Sequence, residues 1–202
     1  MVVKKSSQQA KGHDYLAYAS LVVIVLALLY FSFGAKITGH VTDTATVNVT
    51  IDSTAAINFT VDSLNFGSGG VTTGKPYATI NSEGTVTDGS WSPTNQNLTL
   101  ENIGNRNVTL YLSAGMTAAA YLGGKDPLYQ FKFNNAEAGS CVNASATNVW
   151  INTSTGEGVY LCSNFLAEES KDSINIGVQL VIPSDSMTGL RSDTWTATAT
   201  AI

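Results

Sequence analysis

From Tyr15 to Ala35 the chain has no charged residue, and Leu21-Val-Val-Ile-Val-Leu-Ala-Leu-Leu-Tyr-Phe31 is continuously apolar. At about 1.5 Å per helical residue, some twenty residues cover the roughly 30 Å hydrocarbon core of a bilayer. Such a segment needs an apolar surrounding on every side. Lys4, Lys5 and Lys11 precede it, and the positive-inside rule then places the N-terminus in the cytoplasm and exports everything after Gly34. Three fates are open: a signal peptide cut near Ser32-Phe33-Gly34, a permanent anchor, or a helix that leaves the membrane for a bundle of like helices. The run is longer than a usual signal-peptide core.

Beyond Gly39 the pattern changes to period two. Val47, Val49 and Ile51 alternate with Thr46, Asn48 and Thr50, and Ile57, Phe59 and Val61 with Asn58, Thr60 and Asp62. Leu98 and Leu100, then Val108, Leu110 and Leu112, repeat the pattern. Alternation of this kind predicts half-buried strands. Further strands are expected at Leu128–Phe133, Asn148–Ile151, Gly158–Cys162, Ser173–Ile182 and Thr194–Ala201. Ala114–Leu122 reads as a short helix or loop. Glycine-rich turns punctuate the strands, with Gly67-Ser-Gly-Gly70 expected as a hairpin turn. About nine short strands predict a mainly β fold: an antiparallel immunoglobulin-like sandwich after one long N-terminal hydrophobic helix. The expected divisions are a leader over 1–12, a helix over 13–36 and an external domain over 37–202.

The leader ends in Lys11-Gly12, directly before His13-Asp14 and the apolar run. This resembles the leader of archaeal type IV pilins. The resemblance implies cleavage between Gly12 and His13 on the cytoplasmic side, with the helix retained. The fifth residue after that cut is Ala17 rather than the Glu of bacterial pilins. Glu101-Asn102-Ile-Gly104-Asn105-Arg106-Asn107 resembles the Asn-x-Gly-Asn hairpin of immunoglobulin-like domains in prokaryotic surface proteins, where Gly104 and Asn105 would supply positive φ. Ile37-Thr38-Gly39-His40-Val41-Thr42, Tyr129-Gln130-Phe131-Lys132 and the closing Ser192-Asp193-Thr194-Trp195 are similar to secreted β-sandwich proteins of small symbiotic archaea. That similarity implies a surface role without a particular ligand. A looser similarity is to matrix-filament sandwiches whose subunits exchange a strand.

Cys141 and Cys162 are the two cysteines. In an exported domain they are expected to form a disulfide, with two buried free thiols as the alternative. Six Asn-x-Ser/Thr sequons, at Asn48, Asn58, Asn97, Asn107, Asn143 and Asn152, are candidate N-glycosylation sites. Four have the form Asn-apolar-Thr, which any alternating strand with Asn and Thr on its wet face also produces. Trp195 reads as core, while Trp91, in a Gly-Ser-Trp-Ser-Pro loop, is the one candidate contact aromatic.

The rest of the sequence argues against catalysis. His13 and His40 are the two histidines, and neither has Cys, Asp or Glu at ligand or triad spacing. Asp172, Asp185 and Asp193 belong to no calcium-loop pattern and read as solvated turn carboxylates. No catalytic residue, cofactor or metal site is expected. From Ile37 onward six Lys/Arg stand against fourteen Asp/Glu, an acidic balance without a nucleic-acid footprint. The expected function is a subunit of an extracellular archaeal pilus-like filament. Its partner is other copies of itself, through the helix, after a membrane stage; a host-cell or surface ligand is left unspecified. The alternatives are a single-pass anchored adhesin or binding module, and a secreted sandwich polymerising by strand exchange.

Overall fold

In the computed structural model, residues 10–34 and 46–202 are described, with side chains over 15–30 in the first stretch. The leader residues 1–9 and the Ile37–Thr42 motif lie outside the described residues. The chain divides into two units, Met1–Thr50 and Ile51–Ile202.

The first unit contains helix α1, Ala10–Gly34. It begins ahead of the expected boundary at His13 and ends at Gly34, a residue that cannot sustain a helix cheaply. Every described side chain of α1, 15–30, is exposed. Leu, Val, Ile and Ala occupy all sides, so the helix has no polar face. Ser20 turns its hydroxyl back to the Ala17 carbonyl at 2.9 Å. Among the described residues, which in α1 include side chains over 15–30 alone, no helix is long and apolar enough to cross a membrane.

The second unit is mainly β. In chain order its elements are β1 (Asn58–Val61), β2 (Tyr77–Asn81), β3 (Val86–Thr87), β4 (Leu98–Glu101), β5 (Val108–Ala114), α2 (Ala118–Leu122), β6 (Leu128–Asn135), β7 (Cys141–Ala144), β8 (Ile151–Asn152), β9 (Val159–Phe165), β10 (Ser173–Pro183) and β11 (Trp195–Ala201). They form two antiparallel sheets. One has seven strands built around β10, and the other has the order β11-β5-β9-β7.

Strand β10 organises the larger sheet. Along one side it pairs with β6 through Ile174–Val181. Along the other side it pairs first with β4, through Ser173–Ile176, and then with β2, through Gln179–Pro183. Ser82, buried at the handover, fills the gap. The Val178 N–H donates to its Oγ at 2.9 Å, and the Ser82 N–H donates to the Val178 carbonyl at 2.8 Å. No ladder group is stranded where the partner changes, as buried backbone requires.

The two sheets share one core. Ile80, Leu100, Phe131, Phe133, Ile174 and Ile176 come from the larger sheet, and Val108, Leu110, Leu112, Leu161 and Phe165 from the smaller. On β4, β5 and β6 the inward residues keep period-two spacing, whereas on β9, whose pairing with β5 has register shifts, the adjacent Leu161 and Cys162 are both buried. Cys141 and Cys162 form a disulfide between neighbouring strands β7 and β9, with Cα atoms 5.8 Å apart. A bridge closing a loop of this length stabilises by about 3 kcal/mol in the chain-entropy model.

Several expectations need correction. Thr46–Ile51 is not a strand. Its alternation is intact, but among the described residues it pairs with no strand, and Val47, Val49 and Ile51 are 91%, 81% and 80% exposed. Alternation creates a face without supplying an edge to hydrogen-bond. The Gly67–Gly70 loop is not a hairpin turn, because β1 pairs with β4 and β2 with β10. Asn102–Asn105 does not close a hairpin either: β4 and β5 lie in different sheets. The strand expected at Asn148–Ile151 shrinks to Ile151–Asn152, because Asn148 takes a left-handed φ of 58°. Strands β2, β3 and β7 were not expected from the pattern. In β2 an alanine, Ala78, holds one of the inward positions, which weakens the alternation signal.

Candidate functional site

The Asn102–Asn107 turn shows what that motif does. Asn102 is 1% exposed. Its Nδ2 donates to the carbonyls of Arg106 at 2.9 Å and Phe165 at 3.1 Å, and its Oδ1 accepts from the Gly104 N–H at 3.2 Å. It therefore fastens the end of β4, in one sheet, to the end of β9, in the other. Asn105 grips the segment before β1: its Nδ2 donates to the Asp52 carbonyl at 2.8 Å and its Oδ1 accepts from the Thr54 N–H at 2.7 Å. Both carboxamides are used on donor and acceptor sides, which makes the turn a structural clip.

The expected site residues are dispersed. Gly12 and His13 fall on the backbone of α1, with side chains outside the described residues. Asn48, Asn58, Asn143 and Asn152 are exposed, whereas Asn97 and Asn107 are half-buried. Asn97 Oδ1 accepts from the Ser82 hydroxyl at 2.6 Å, and Asn107 Oδ1 accepts from the Ala167 N–H at 3.0 Å. Asp185 and Asp193 accept backbone N–H groups of Lys125 and Met116. Asp172 lies apart from them, beside Glu137 and Glu101. Desolvation first, and these two carboxylates second, raise its pKa above the ordinary aspartate range. Among the described residues, no group of three or more His, Cys, Asp or Glu could hold a metal ion.

One concave feature escaped the sequence reading. A cleft of about 810 Å³ opens over the inner-face residues Ile80, Leu180 and Ile182, beside α2, and is walled by Phe66, Trp91 and Leu190. A second hollow of about 490 Å³ shares the Leu64–Phe66 and Leu190–Arg191 walls and extends over Leu98 and Val178 to Trp195. Loops rather than strands cover these apolar residues. Trp91 is wedged so closely that a Cβ on Gly69 would come within 2.6 Å of its backbone nitrogen and ring.

No family model, curated protein or solved structure matches this chain. Its chemistry is read from the two hollows. Trp195 donates its indole N–H to the Tyr129 hydroxyl and packs edge-on against Tyr129 and Phe131. Burial pushes the Tyr129 phenol far above its ordinary range. The Trp195 hydrogen bond offsets part of that rise, and the Asp193 charge adds to it. Tyr121 is raised for the same two leading reasons, burial and Asp193. Both phenols stay protonated at neutral pH and supply no base. The aromatic spacing that builds the two hollows crosses several strands and loops, so no local motif advertised them.

Proposed function

We propose that the chain is a structural subunit of an extracellular archaeal pilus-like filament. Helix α1 inserts through the cell membrane, N-terminus in the cytoplasm, and then bundles with copies of itself in the filament core. The immunoglobulin-like sandwich forms the outer surface.

The observation that carries this reading is the exposure of α1 on all sides. Leu16, Leu21, Val23 and Leu28 are each at least 60% exposed. A helix that is apolar all round is stable only when something apolar surrounds it. Fully burying one such side chain is worth about 1.5–3 kcal/mol, so a run of them strongly favours lipid or neighbouring helices over water. Ala17, Ala19, Ser20 and Ala27 allow close helix approach. Ser20, already bonded to its own backbone, brings no unmet hydroxyl into that setting. The disulfide fits an oxidising exterior.

The mature N-terminus tests the proposal. Mass spectrometry of the cell-surface protein should find His13 first, the leader having been cut after Gly12. Retention of Met1 would favour a single-pass anchored adhesin, and cleavage near Gly34 a secreted sandwich without a helical core.

A further inference from the structure

The hollow of about 490 Å³ is walled by rings. Phe59, Phe66, Tyr121 and Trp195 line it, and each is only partly buried against the core, so ring surface is left for a ligand. Buried Tyr129 stands between Tyr121 and Trp195, with ring centroids 4.8 Å and 5.5 Å away. Its hydroxyl accepts the Trp195 indole N–H. The rings are thus held in place before any ligand arrives.

Two carboxylates share this lining, Asp62 and Asp193. The Met116 N–H donates to Asp193 Oδ2 at 3.3 Å, and a Cβ on Gly115 would come within 2.6 Å of Oδ1, so backbone fixes the position of that carboxylate. Among the described residues, neither aspartate forms an ion pair. Arg191, exposed and likewise without an ion pair among the described residues, is the one cation of the lining. Aromatic faces attract cations, more strongly where water is excluded, and unpaired carboxylates add to the pull. A primary ammonium would need acceptors for three donors. A methylated ammonium needs none and offers its methyl groups to the rings.

We propose that this hollow binds a small organic cation bearing a methylated ammonium group. The four ring walls enclose the methyl groups, and Asp62 and Asp193 supply the counter-charge. Arg191 opposes the cation and weakens its binding. A free solute and a lipid headgroup can both present this group.

Titration of the full chain with choline, in uncharged detergent and followed by nuclear magnetic resonance, tests the site. The Trp195 indole N–H resonance should shift saturably. That of Trp150, which lies under the Lys132 ammonium at 4.8 Å and lines neither hollow, should stay in place. Neohexyl alcohol, the uncharged isostere of choline, should bind about tenfold more weakly. Asp62→Asn combined with Asp193→Asn should weaken choline binding about tenfold and leave the alcohol unchanged; a carboxamide at 193 keeps an acceptor for the Met116 N–H. Tyr121→Leu should weaken choline binding, and Tyr121→Phe, which restores a ring, should not. Arg191→Gln, at an exposed position, should tighten it severalfold. Glycerophosphocholine separates the two sources: tighter binding than choline identifies a headgroup, through Arg191 and the phosphodiester, and weaker binding a free cation. Equal affinity for choline and the alcohol overturns the proposal, because the hollow is then merely apolar. So does the absence of a saturable shift in the parent chain, or a choline affinity indifferent to the two aspartates. The filament proposal is untouched by any of these results.

Discussion

Gly104 has no side chain because there is no room for one. A Cβ there would lie 2.5 Å from the Thr54 carbonyl oxygen and 2.8 Å from the Ala56 nitrogen. Its φ is not in the left-handed region, so close approach, rather than the positive φ expected from the sequence, is what requires glycine. Gly104→Ala should therefore destabilise the domain by about 1–3 kcal/mol, as overpacking does. Chemical denaturation would check this, and an unchanged midpoint would contradict it. Asp172 provides a second test at this scale. Its raised pKa means that the folded state binds its proton more tightly than the unfolded chain. Stability is then lost as pH rises from the ordinary aspartate value, about 3.9, through the raised folded value. Asp172→Asn cannot ionise and escapes that loss. It should melt higher than the parent at neutral pH and converge with it in acid. A parent more stable at pH 7 would refute the assignment.

Among the elements, the strands on the alternating runs were legible because burial on one face leaves a period-two trace. Four of them, β4, β5, β6 and β10, carry runs of apolar residues that also form the core, and β11 packs Trp195, Ala197 and Ala199 against it. Partners were not legible. Alternation says which side chains share a face and nothing about which edge lies alongside. That is why Asn102–Asn105 and Gly67–Gly70 were read as hairpin turns although their flanking strands pair elsewhere. The handover along β10, sealed by Ser82, has no sequence signature, since one buried serine looks like any other. Thr46–Ile51 is the sharpest case. Its pattern is as regular as that of β5, yet it lies outside both sheets. A strand signal is a statement about a side-chain face, not about a hydrogen-bonding partner.

At the scale of the whole molecule, the two hollows were hidden from the sequence because Ile80 and Trp91 in one, and Tyr129 and Trp195 in the other, come together only after the sheets assemble. The disulfide was legible from two cysteines and an expected exported setting, and the structure joins them. We propose that helix α1, which has no polar face, ends among copies of itself, with the β domain outside the filament core. Electron microscopy of sheared cell-surface material, labelled with antibody to the β domain, addresses this most directly. Thin filaments labelled along their length are the predicted result. Recovery of the protein only in membranes, with no labelled filament, would contradict the account.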